Sequence, residues 1–159
     1  MSGKFNYTRW DPVLISSQIV AIQCCFYSGL GLVLFILSHL FGFRITLDLI
    51  FNHQIVSFVN LLGIGVTLSF LITSSLSSIT LYFIVHRAKK CLDFSLTLFL
   101  IHCLIVWFYM GQFPFSFSWW LLIIVSITLM CCLGEYVCLK SELKDIPLLI
   151  SHSGKENLL

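Results

Sequence analysis

The stretch His86-Arg87-Ala88-Lys89-Lys90-Cys91-Leu92-Asp93 decides the fold. It holds the densest positive charge in the chain, and the apolar runs on either side of it contain no Asp, Glu, Lys or Arg. Each of those runs is long enough to cross a bilayer. A short basic hinge between two spans stays on the cytoplasmic face. Placing the hinge therefore places every other segment.

Composition agrees. Apolar residues make up 58% of the chain and charged ones 10%, where soluble domains run near a quarter charged. Mean hydropathy is +1.00. Such a chain lacks the polar shell a soluble protein needs. A net charge of +2 gives no footing for nucleic acid. No A-x-A-like site follows the first apolar run, so no cleavable signal peptide is expected. Position 2 is Ser, which excludes myristoylation.

Working outward from the hinge, the apolar runs predict an all-α membrane protein, a bundle of four transmembrane helices. The spans are expected at about 12–41, 58–85, 94–111 and 119–139, with the cytoplasmic loop at 86–93. The arm 1–11 and the tail 140–159 then share the hinge's side, so both termini are cytoplasmic. The cytoplasmic segments carry Lys4, Arg9, Arg87, Lys89, Lys90, Lys140, Lys144 and Lys155, while the opposite loops carry only Arg44. Asp11 and Pro12 suit the N-cap and first turn of the first helix. Pro147 is expected to stop the last one.

Within the first span, Ser17, Ala21, Cys25 and Gly29 recur every four residues, a pattern that lets helices approach closely in lipid. Gln18 and Gln23 must face protein or water. The hydroxyls of the second span (Thr73, Ser74, Ser75, Ser77, Ser78 and Thr80) can bond their own helix carbonyls, and their crowding predicts an inward packing face. Trp119 and Trp120 are expected at the membrane interface.

Three intramembrane polar residues are candidates for function: Gln18, His102 and Glu135. His102 falls near the bilayer midplane, where ionisable groups are rare; its packing role is a neutral ring bonded to a hydroxyl or glutamine on another helix. Glu135 lies a turn inside the cytoplasmic end, within reach of Lys140, Arg87 or Lys89. Cys24, Cys25, Cys103, Cys131 and Cys132 fall inside spans as small apolar fillers. Cys91 and Cys138 sit at the cytoplasmic edge, as candidates for S-palmitoylation. No C-x-x-C spacing, hydrolase elbow, Walker loop or dinucleotide fingerprint occurs. No catalytic residue, metal site or cofactor is therefore expected, and the chain is not expected to be an enzyme.

Four blocks carry a family resemblance. They are Trp10-Asp11-Pro12 with Ser17-Gln18-Ile19-Val20; Arg87-Ala88-Lys89-Lys90-Cys91-Leu92-Asp93-Phe94; Trp107-Phe108-Tyr109 with Phe113-Pro114 and Trp119-Trp120; and Gly134-Glu135-Tyr136-Val137-Cys138 running to Glu142 through Leu148. In order and spacing the chain resembles the Sys family of integral membrane Golgi trafficking proteins. The resemblance implies a multi-pass protein of the trans-Golgi network acting in vesicle-mediated transport. It also implies a partner: an Arf-related small GTPase with an acetylated N-terminus, which in turn brings GRIP-domain golgins to the membrane. The docking surface is expected where Trp10, Asp11 and Pro12 meet Arg87, Lys89, Lys90 and Asp93 of the hinge and Glu142, Lys144 and Pro147 of the tail. The alternative is a small polytopic channel or transporter using His102 and Glu135.

Overall fold

Runs without Gly–Pro punctuation and with apolar residues on every face favour helix, because lipid leaves no other partner for backbone N–H and C=O groups. The computed structural model describes the backbone of residues 12–85 and 90–156 and the side chains of residues 12–84 and 90–141. It contains the helices α1 (Pro12–Phe41), α2 (Asp48–Phe51), α3 (Leu61–Val85), α4 (Cys91–Met110) and α5 (Phe117–Glu156). All but α2 are long and apolar enough to cross a membrane, α5 through its segment Phe117–Ser141. The protein is an all-α four-span bundle. Asp11, expected as the N-cap of α1, lies outside the described residues.

α3 is the central helix, packed against α1 on one side and α5 on the other. Its hydroxyls make this tolerable. Thr67, Ser69, Ser74 and Ser75 each donate to the carbonyl four residues back, at 2.8–2.9 Å. Thr73, Ser74, Ser77 and Ser78 are buried against the neighbouring helices.

The packing face of α1 differs from the small-residue stripe. It is built from Ile22, Phe26, Leu30, Val33 and Leu34, whereas Ser17 and Cys25 are exposed. Of the stripe, Gly29 meets Thr73, with 3.4 Å between a would-be Cβ and the threonine methyl. Large side chains win because they fill the interior: Phe26 sets its ring edge-on to Phe99 at 5.5 Å and tilted to Phe70 at 6.3 Å.

At the end away from the hinge, residues 42–60 fold back over the bundle. Tyr109 donates its hydroxyl to Asp48 Oδ1 at 2.8 Å, which ties α2 to the last turn of α4. Phe51 then lies against Tyr27, His102 and Tyr109, with ring centroids 6.0, 6.1 and 5.6 Å away. Gly111 ends α4 in the left-handed region, φ 64°, which a residue without Cβ adopts at no steric cost.

Trp119, in the first turn of α5, faces into the bundle. It is buried and stacks on His102 at 6.5 Å, while Trp120 stays near the surface and donates Nε1–H to Pro114 O at 2.8 Å. Successive residues on a helix point about 100° apart, so one indole faces the bundle when its neighbour faces out.

α5 also departs from expectation, running on through Pro147 to Glu156. A proline inside a helix forfeits one N–H bond and crowds the carbonyl four residues back. Around it stand good helix formers (Lys144, Leu148 and Leu149), and their propensity carries the helix across the defect. At α4 the start is Cys91 rather than residue 94, with Asp93 in the first turn, where a carboxylate suits the helix dipole.

Candidate functional site

Helical spacing sets Lys90, Asp93, Phe94 and Thr97 on one face of α4, at i, i+3, i+4 and i+7. Ile15 and Ile19, one turn apart on α1, face them. Because α4 leans chiefly on α5, the gap between α1 and α4 stays open at the hinge-side end. These six residues line a groove of about 230 Å³. Its floor is apolar, since Ile15 and Ile19 are half-buried and Phe94 is buried. Its rim is charged: Lys90 and Asp93 are both exposed and form no ion pair with a described residue. The groove is smaller than the ~300–1,000 Å³ of small-molecule sites, and suits one or two apolar side chains more than a whole metabolite.

Of the residues expected at a partner surface, the structure brings Lys90 and Asp93 together on this rim. Pro12 opens α1 one turn from Ile15 and is exposed. Trp10, Asp11, Arg87 and Lys89 lie outside the described residues, as do the side chains of Glu142, Lys144 and Pro147. Sequence reasoning missed Ile15, Ile19, Phe94 and Thr97. The spacing of each set was readable, but nothing in the chain says that positions 15 and 94 face one another.

The polar residues of the spans are mostly spoken for. Gln18 donates Nε2–H to Ile84 O at 3.2 Å and Gln23 does the same to Leu98 O at 3.2 Å, clamping α1 to α3 and to α4. His102 is fully buried, its Nδ1 3.1 Å from the Tyr27 hydroxyl. Its Nε2 has no hydrogen-bond partner, and the rings of Tyr27, Phe51, Phe70 and Trp119 surround it at 5.5–6.5 Å. Glu135 accepts from Cys131 Sγ at 3.5 Å. Of its three expected partners, Lys140 forms no ion pair with it, since five residues along a helix turn a side chain about 140° away, and Arg87 and Lys89 lie outside the described residues. Lys140 instead sets its Nζ 6.0 Å from the centre of the Tyr136 ring.

Cys91 and Cys138 are buried, at 0% and 1% exposure, with their sulfurs 3.9 Å apart. An acyl transferase needs an exposed thiol, so neither cysteine is placed for S-palmitoylation in this fold. None of the seven cysteines is in a disulfide.

The family model described as "SYS1: Integral membrane protein S linking to the trans Golgi network" matches residues 5–148. A Protein SYS1 homolog from Nematostella vectensis is 42% identical over 158 residues, covering 99% of this chain and 100% of that one. One from Dictyostelium discoideum is 40% identical over 144 residues, which is 91% of this chain and 62% of that protein. Protein SYS1 of Saccharomyces cerevisiae is 30% identical over 142 residues, 89% of this chain and 70% of its own length. No solved structure matches.

Proposed function

The chain belongs to the SYS1 family of integral membrane proteins linking to the trans-Golgi network, and from that premise we propose that it is a membrane receptor for an Arf-related small GTPase. The GTPase carries an acetylated N-terminal amphipathic helix and in turn recruits GRIP-domain golgins, which tether vesicles. The α1–α4 groove is the docking site, lined by Ile15 and Ile19 of α1 and by Lys90, Asp93, Phe94 and Thr97.

One observation carries this reading: an apolar groove at the edge of the spanning region, with an exposed cation and an exposed anion on its rim, neither paired with a described residue. A helix without an acyl chain partitions weakly into a bilayer. A groove that takes one or two of its apolar side chains adds a second contact, and two weak contacts held together multiply. Charges of both signs on the rim fix register more than they add affinity.

The channel or transporter alternative finds less support. His102 lies eleven residues beyond Cys91 on α4, about 16 Å along the axis, whereas Glu135 lies close to Cys91. The His102 ring is packed among aromatic rings rather than lining an opening.

Ile19→Trp, which fills the groove, and Asp93→Lys, which reverses its rim, test the receptor reading. Each variant is expected to stay in Golgi membranes while the GTPase shifts to the cytosolic fraction. Leu100→Trp, on an exposed face of α4, leaves the GTPase in place. A GTPase that remains on membranes with both groove variants sinks the proposal.

A further inference from the structure

Two thiols meet where α4 begins. Cys91 is the first residue of α4, and Cys138 lies on α5 among Leu81, Tyr82 and Gly134 at the hinge-side end. Their sulfurs are 3.9 Å apart and shielded by the surrounding helices. A disulfide needs about 2.05 Å, so each sulfur has about 1 Å to travel. The approach is built into the packing. Gly134, one turn before Cys138, faces Cys91, and a side chain there would start 3.5 Å from its sulfur. Tyr82 bonds Ser141 at 2.9 Å, which holds α3 against α5 at the same level. The other cysteines are arranged differently. Cys131 is engaged with Glu135, Cys103 is half-buried, and Cys24, Cys25 and Cys132 are exposed.

We propose that Cys91 and Cys138 form a reversible disulfide, closed by a peroxide and opened by a thiol reductant. In the first step the Cys91 thiol, having given up its proton, attacks one peroxide oxygen. The O–O bond breaks, the sulfur becomes a sulfenic acid, and the departing hydroxide takes up the proton as water. The Cys138 sulfur then displaces hydroxide from that sulfur, and its proton leaves with the hydroxide as a second water. In all, two thiols lose two hydrogens and two electrons, and hydrogen peroxide becomes two waters. A sulfenic acid with a neighbouring thiol follows this path in preference to further oxidation. The roles of Cys91 and Cys138 in this scheme are interchangeable, because both thiols are buried, at 0% and 1% exposure. Reduction by two thiols restores both sulfhydryls and leaves the reductant as a disulfide.

Closure has a structural consequence. The Cys91 side chain points to α5, while Lys90, Asp93, Phe94 and Thr97 look toward α1. A covalent staple at Cys91 fixes the α4 wall of the groove against the α3–α5 layer, whatever docks in it.

The test uses the full chain in Golgi membranes treated with hydrogen peroxide or with iodine, then denatured and labelled with a maleimide. The expected result is a Cys91–Cys138 linked peptide, two hydrogens lighter than the pair of thiol peptides, with two fewer maleimides per chain and full reversal by dithiothreitol. Cys131→Ser keeps the link, whereas Cys91→Ser and Cys138→Ser each abolish it. Unchanged labelling at Cys91 and Cys138 with both oxidants overturns the proposal, because a pair no small oxidant closes is not a redox site. Linkage of Cys138 to Cys131 or Cys132 in place of Cys91 overturns it as well. Neither readout depends on the GTPase, so failure here leaves the receptor reading standing.

Discussion

Tyr27 of α1 holds its hydroxyl 3.1 Å from Nδ1 of His102 on α4, a hydrogen bond between side chains of the two spans. His102 is fully buried and Tyr27 half-buried, so losing the tyrosine hydroxyl leaves the ring Nδ1 buried and unsatisfied. Tyr27→Phe is therefore expected to cost about 1–3 kcal/mol, read as a lower midpoint of thermal unfolding in detergent. Tyr27→Phe combined with His102→Leu should recover part of that loss, since no polar group then remains stranded. If the two changes simply add, the bond is not coupling the helices.

Gly63 of α3 is pressed against the loop that precedes it. A Cβ there would collide with the carbonyl oxygen of Ser57 and stand 2.7 Å from its nitrogen and 2.9 Å from Ile55 O. All three are backbone atoms, which cannot swing aside as a side-chain tip can. Gly63→Ala should destabilise the protein by about 1–3 kcal/mol and render residues 52–60 sensitive to protease. Gly31→Ala is the control: nothing lies within 4 Å of its would-be Cβ, so the better helix propensity of alanine makes it neutral or slightly stabilising. Equal effects at the two glycines would rule out the close approach.

His53 gives the loop a pH dependence. It lies outside the spans and is buried, its Nδ1 without a hydrogen-bond partner, and burial holds its pKa below the ordinary value of 6.5. Between the lowered value and about 6.5 the unfolded chain binds more protons at this position than the folded one. Stability contributed here is thus complete above about pH 7 and falls as pH drops through 6.5. His53→Gln should flatten that part of the profile, measured as the difference in unfolding midpoint between variant and parent from pH 7.5 to 5. Parallel profiles would show that His53 has the same pKa in the folded and unfolded chain, and that burial does not hold it neutral.

Much of this was legible in the sequence, for a physical reason: lipid forces every crossing segment into helix and strips it of charge, so spans declare themselves. The hydroxyl face of α3 was legible because serine and threonine survive in lipid by bonding their own helix. What escaped was anything set by the pairing of distant segments. The stripe of Ser17, Ala21, Cys25 and Gly29 obeys a local rule, but Phe26 and Leu30 won the interface because α3 offered them a cavity. Charge counting began α4 at residue 94, yet Asp93 is favourable in a first turn. Lys90 and Asp93 were marked from the hinge alone. The groove they rim exists only because Ile15 and Ile19, 79 and 75 residues earlier, stand opposite Phe94.

Orientation is the premise behind placing the groove in the cytosol, and a single added substitution tests it. Asn52-His53-Gln54 lies in the loop between α1 and α3, and Gln54 is exposed. Gln54→Thr turns Asn52 into a glycosylation acceptor, whereas Asn6-Tyr7-Thr8 is an acceptor already present on the N-terminal arm. With four crossings, the arm, the hinge and the tail are expected on one side and residues 42–60 on the other. By the positive-inside bias the first side is expected to be cytosolic. The Gln54→Thr protein is expected to gain one endoglycosidase-sensitive glycan, while the parent and Asn6→Gln migrate alike. A glycan on Asn6 would place Lys90, Asp93 and the groove in the lumen, beyond reach of any cytosolic GTPase, and the receptor reading would fall with it.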